Sequence, residues 1–158
     1  MKMRFIKRLT GLVLAVGIMG ACILGVQASN YSNSTLTSFE ISSSVFTPLP
    51  YARNKTDDSS LYLYITDMNF TYALVQARGA NVAYGITLSN TTNETYNLTI
   101  GSCEYVTCWK NHEYSVHSLI YEDNYSYATL AFHAGYAAND HVTGVWSPDS
   151  IGTYTDAH

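Results

Sequence analysis

The chain has 158 residues, 47% of them hydrophobic and 13% charged, with a formal net charge of −4. After residue 28 only four bases remain, Arg53, Lys55, Arg78 and Lys110, against twelve acids, so the net charge from Ser29 onward is −8. Such a surface repels phosphate backbones and anionic headgroups, which excludes nucleic-acid binding and simple cationic membrane attack.

The start reads as a leader. Lys2, Arg4, Lys7 and Arg8 precede an apolar run from Leu9 to Val26, and Val26 and Ala28 occupy the small-residue positions of a cleavage site. This order of features predicts a secretory signal peptide over residues 1–28. The competing reading, an uncleaved anchor, fits less well because Gly11, Gly17, Gly20 and Gly25 interrupt the run. No second hydrophobic span follows, so no transmembrane segment is expected after the leader. The mature chain from Ser29 has the length of one domain: residues 29–50 supply a polar lead-in and a first strand, and 51–158 the rest of the same unit.

In the mature part, apolar residues recur with period two. Phe39, Ile41 and Val45 alternate with Ser38, Glu40 and Ser44 as a first strand, closed by Pro48 and Pro50. "YARNKTDDSS" (51–60) reads as a charged loop. "LYLYITDM" (61–68) is apolar on both faces, as a central strand is, and "FTYALVQARG" (70–79) follows as a strand, or as a short helix, with Gly79 as its turn. Val82, Tyr84, Ile86 and Leu88 share one face of the clearest strand. The alternation resumes at Tyr96, Leu98 and Ile100, at Tyr114, Val116, Ser118 and Ile120, and at Ala128, Leu130 and Phe132 after an "EDN" turn. Val142 to Trp146 is the last strand, ended by Pro148. About eight short strands between turn signals predict an all-β fold, a single antiparallel β-sandwich or partly open barrel. All fourteen tyrosines lie after the leader, which suits strands and also adaptable binding surfaces.

The stretches "YVTC" (105–108), "YSVHSLIYEDNYSYATLAF" (114–132, with a Glu-x-x-Tyr-x-Tyr-Ala core from Glu122 to Ala128) and "GVWSPDS" (144–150, closing on Trp146 to Ser150), with Arg53-Asn54-Lys55 ahead of them, together resemble a group of small secreted proteins from Gram-positive bacteria. The resemblance covers roughly residues 51–155 and implies bacterial secretion, without implying any catalytic residue. A looser likeness in architecture to lactococcin-type secreted β-sandwich bacteriocins suggests competition between bacteria.

Chemistry concentrates in "CEYVTCWKNHEYSVH" (103–117). Cys103 and Cys108, with His112 and His117, offer a zinc set, but a structural finger needs its two ligand pairs on separate elements. Thioredoxin-like chemistry needs two residues between the cysteines. Outside the cell the expected outcome is a disulfide, Cys103–Cys108, closing a short hairpin loop. It would leave Tyr105, Val106 and Trp109 as a binding surface at a stiffened tip, or folded back into the core. No catalytic residue, metal or cofactor is expected. No nucleophile elbow occurs, and Glu104, Glu113, Glu122 and Asp123 are no more than any acidic β-protein offers as a carboxylate pair. Asp67, Asp140 and Asp149 lie outside any calcium-loop pattern and read as solvated. Eight Asn-x-Ser/Thr sequons (Asn30, Asn33, Asn54, Asn69, Asn90, Asn93, Asn97, Asn124) are acceptors only in a glycosylating host. The expected function is non-enzymatic binding of an extracellular or cell-envelope target; the alternatives are a small secreted hydrolase acting on wall or glycan, or an N-glycosylated secreted glycoprotein.

Overall fold

The structure is a computed structural model that describes residues 31–80, 95–100, 104–136, 138–152 and 154–156. The expected leader, the strand at 82–88 and Cys103 lie outside the described residues. Among the described residues there are eleven strands: β1 (Ser34–Ile41), β2 (Thr47–Pro48), β3 (Arg53–Asn54), β4 (Leu61–Asp67), β5 (Tyr72–Ala80), β6 (Thr95–Asn97), β7 (Val106–Trp109), β8 (Glu113–Val116), β9 (Tyr127–Ala134), β10 (Asp140–Ser147) and β11 (Thr155–Asp156). They make an all-β sandwich of two largely antiparallel sheets. One runs β1-β10-β4-β8-β11; the other runs β2-β9-β5-β6, with β3 added on β9 and β7 on β5. Among the described residues no helix is long and apolar enough to cross a membrane.

Period-two patterning explains which face each strand buries. In β4, Leu61, Leu63 and Ile65 are fully buried, and its central place between β10 and β8 accounts for the apolar second face, where Tyr62 is also buried. In β5, Ala73, Val75 and Ala77 meet Leu130 and Phe132 of β9 and Val106 of β7 in one core, which Trp146 of β10 closes from the opposite sheet. The strand expected over 70–79 is thus present as β5, and the helix alternative over 70–78 is not.

Several local expectations are corrected. β1 ends at Ile41, and Val45 is exposed in the following loop. β1 carries a register shift between Leu36 and Phe39, where Ser38 adopts φ 44°, so strict alternation breaks inside the strand. Gly79 is not a turn. It pairs with Ala128 on one side and Tyr96 on the other, and a Cβ there would lie 2.7 Å from Tyr125 Cγ. Close approach of a ring, not chain reversal, requires this glycine. The charged loop at 51–60 contains β3, and both its bases are buried. β10 is not the last strand, because β11 pairs in parallel with β8.

The connections matter most for the site. Residues 42–46, 68–71, 110–112 and 135–139 each carry the chain from one sheet to the other, and all four gather at one end of the sandwich.

Candidate functional site: an aromatic end of the sandwich

Strand alternation decides which side chains reach this end. In β7, Val106 and Cys108 point into the core and are fully buried, whereas Thr107 and Trp109 face outward. Pairing of β5 with β7 sets Tyr72 directly opposite Trp109, and their ring centroids are 5.1 Å apart. Tyr136, on the β9–β10 connection, packs on Tyr72 at 5.1 Å and on Phe70 at 4.6 Å. Four rings from three separate segments form one tilted row. Trp109 keeps 48% and Tyr136 41% of their surface in water, while Phe70 and Tyr72 are half-buried. Gly135 makes room for the row, because a Cβ at that position would run into the Tyr72 ring.

Further along the same outer face, Tyr105 packs on Phe46 at 6.0 Å, and Phe46 on His133 at 5.3 Å. A shallow depression beside the row is lined by Thr71, Trp109, Lys110, Asn111 and His112. Rings and polar groups therefore alternate over a short distance, the composition that adaptable contact surfaces use.

Hydrogen bonds lace the loops that carry the rings. Asp140 accepts from the backbone N–H groups of Phe70 (2.9 Å), Asn69 (3.0 Å) and His141 (2.7 Å). Burial pushes its pKa up, but these N–H donors and His141 outweigh that and hold the carboxyl below its usual value. Lys110 N–H donates to Thr71 O (3.0 Å) and Asn111 N–H to Ile65 O (2.8 Å), fixing the corner where Asn111 adopts φ 65°. Trp109 N–H donates to the Tyr114 hydroxyl at 2.9 Å, and burial pushes that phenol up. Ser43 N–H reaches Asn139 Oδ1 at 3.1 Å, tying the 42–46 connection to the 135–139 connection. Lys110 pairs with exposed Asp67 at 2.7 Å and holds its carboxyl below the usual range.

The residues singled out in the sequence are distributed as follows. Trp109 lies in the exposed row, Tyr105 is half-buried against Phe46, and Val106 belongs to the core, because the pleat turns it inward. Among the described residues there is no disulfide. Cys108 is a free, fully buried thiol whose pKa burial pushes up, so the expected Cys103–Cys108 staple is not seen. His112 Nδ1 lies 3.0 Å from Lys110 O, and His117 Nδ1 lies 2.8 Å from Ser60 Oγ, which gives the two histidines different partners. Among the described residues no group of three or more His, Cys, Asp or Glu is placed to hold a metal. Glu113 accepts from Tyr62 at 2.7 Å; Glu104 lies before β7, and Glu122 and Asp123 on the β8–β9 turn. Asp149 and Asp140 are buried, not solvated. Phe70, Tyr72 and Tyr136 went unrecognised in the sequence, since only register across β5 and β7 brings them to Trp109.

Fold and site together define a small β-sandwich whose loop end presents ordered aromatic rings to solvent. The chain belongs to the family described as Protein of unknown function (DUF2712), which matches residues 24–150. No curated protein and no solved structure matches the chain.

Proposed function

We propose that this is a secreted, non-enzymatic binding protein of a Gram-positive bacterium that contacts a cell-envelope target through the aromatic end of the sandwich, in competition between bacteria. One observation carries the reading: Phe70, Tyr72, Trp109 and Tyr136 form a contiguous, partly exposed row on loops already fixed by hydrogen bonds. Rings of this kind supply contact area with few rotors to freeze, and a pre-ordered loop end lowers the entropy lost on binding. The resemblance of Arg53–Lys55, Glu122–Ala128 and Trp146–Ser150 to small secreted Gram-positive proteins, and the looser likeness to lactococcin-type bacteriocins, support the bacterial setting.

The hydrolase alternative finds less support. The groove of ≈ 450 Å³ between β1 and residues 49–53 is lined by Ser34, Leu36, Phe39, Leu49, Tyr51 and Trp146 among others, with Arg53 as its charged side chain. That lining offers no carboxylate pair for acid–base work on a glycan. A smaller depression of ≈ 310 Å³ does bring Glu113 and Asp149 to one place, but there Asp149 is wholly buried against Lys55 and Glu113 accepts from Tyr62 at 2.7 Å. The test is cosedimentation of the purified protein with intact Gram-positive cells. Saturable association is expected; its absence across a panel of species would count against a cell-envelope target.

A further inference from the structure

Lys55 and Asp149 form a contact with the parts of a bond-forming site. Asn54 ends β3 and Ser147 ends β10, so the two residues lie just past neighbouring strand ends, 94 positions apart in sequence. Lys55 Nζ lies 2.7 Å from Asp149 Oδ1, and the side chains are 1% and 0% exposed. Arg53 lies over the Trp146 ring at 5.7 Å, and Lys55 N–H donates to Ser126 O at 2.9 Å. Three of the segments that carry the family resemblance, at Arg53–Lys55, around Ser126 and at Trp146–Asp149, therefore meet at this pair.

The two carboxyl oxygens have different surroundings. Oδ1 faces the Lys55 nitrogen, whereas Oδ2 accepts from the Thr56 hydroxyl at 2.8 Å; Thr56 N–H is shared between the two oxygens, at 3.4 Å from Oδ1 and 3.3 Å from Oδ2. A second acid, Asp57, places Oδ1 3.6 Å from Lys55 Nζ and is 26% exposed, on the way to solvent. The nucleophile thus touches the carboxyl group it would attack, an oxyanion donor touches that carboxyl group, and a proton carrier lies beside the nucleophile.

We propose that Lys55 and Asp149 are joined, in the mature protein, by an intramolecular amide bond formed without any external reagent. The step begins with passage of one ammonium proton across the 2.7 Å contact to Oδ1, which leaves a free amine. The amine lone pair attacks Cγ of Asp149. Negative charge develops on Oδ2, where the Thr56 hydroxyl already donates and Thr56 N–H lies within reach. Asp57 takes the second proton from nitrogen and delivers it to Oδ1, which leaves as water. One C–N bond forms, one C–O bond breaks, one water is released, and nothing is oxidised or reduced. Fixed proximity replaces the activation that amide formation in solution needs. The resulting bond ties β3 to the end of β10 and closes a loop through most of the domain. For a protein working outside the cell this is a lock that no reductant opens.

The experiment is intact mass and peptide mapping of the purified full-length mature protein under denaturing, reducing conditions. The expected result is a mass one water below that of the sequence, and a branched peptide containing both Lys55 and Asp149. Wild type should also migrate faster than Asp149→Ala on a denaturing gel. Asp149→Asn should form the same bond with loss of ammonia, and Asp57→Asn should leave most chains unlinked while its near-ultraviolet circular dichroism stays native. A wild-type chain at full sequence mass, with Lys55 and Asp149 on separate linear peptides, overturns the proposal. A water loss that maps to any other residue does the same.

Discussion

Replacing Trp109 with alanine separates a contact surface from a core position. About half of the Trp109 surface is already in water. An aromatic side chain buries about 150–250 Å², so roughly half of that, at about 25 cal/mol per Å², is an upper bound of about 2–3 kcal/mol. Part of this area stays covered by alanine and part is buried in the unfolded chain, which brings the hydrophobic loss to about 1–2 kcal/mol. The tilted contact with Tyr72 at 5.1 Å adds about 0.5 kcal/mol at a wet site. A total near 2 kcal/mol is expected for Trp109→Ala. Trp146 provides the internal comparison. It is 3% exposed and stacks on Arg53, so Trp146→Ala should lose at least about 4 kcal/mol through the cavity and the guanidinium left behind. Urea unfolding of both variants, with m checked for constancy, measures the difference. Equal losses, or a Trp109 emission shielded from acrylamide in the wild type, would refute the placement of Trp109 at the surface.

Three further outcomes follow from the same geometry. Gly135→Ala should push the Tyr72 ring out of the row, altering the aromatic circular dichroism and weakening cell association while the urea midpoint moves little, because only the far end of that side chain must yield; an unchanged spectrum would show that the ring is not held there. Asp140 has a folded-state pKa below the usual 3.8, so its stabilisation is complete above that value and is lost as pH falls through the folded pKa. Asp140→Asn should therefore flatten the acid limb of the stability–pH curve, and an unaltered limb would remove Asp140 from the account. Cys108, being fully buried with its thiol pushed up, should resist alkylation in the native protein and react after unfolding in denaturant alone; a thiol that appears only after reduction would instead establish the Cys103–Cys108 bridge.

The fold was legible wherever a strand's two faces differ in chemistry. Leu61, Leu63 and Ile65 announce β4, and Ala128, Leu130 and Phe132 announce β9, because burial of one face writes period two into the sequence. β3 was not legible, since Arg53 and Lys55 read as solvated charges. What buries them is Trp146 and Asp149, more than ninety residues away, and composition within a ten-residue window carries no trace of such partners. Gly79 shows the same limit, as a turn glycine and a glycine beneath a tyrosine ring look identical in sequence. At the site, Trp109 could be selected by residue type alone. Its companions Phe70, Tyr72 and Tyr136 depend on register, where a slip of one residue would turn Tyr72 into the core and Ala73 out of it. Val106 was misplaced for that reason: parity along β7 sends it inward.

The most direct test of the aromatic end is a map of binding by position. Tyr96 and Tyr121 are as exposed as Trp109 and Tyr136. Tyr96 pairs with Gly79, seven residues along β5 from Tyr72, about 23 Å away at strand rise. Association with intact Gram-positive cells should fall at least about tenfold in Trp109→Ala and Tyr136→Ala, as for hot-spot rings, and stay at the wild-type level in Tyr96→Ala and Tyr121→Ala. Equal binding by all four variants, or loss confined to Tyr96 and Tyr121, would contradict the assignment of the contact surface to this end of the sandwich.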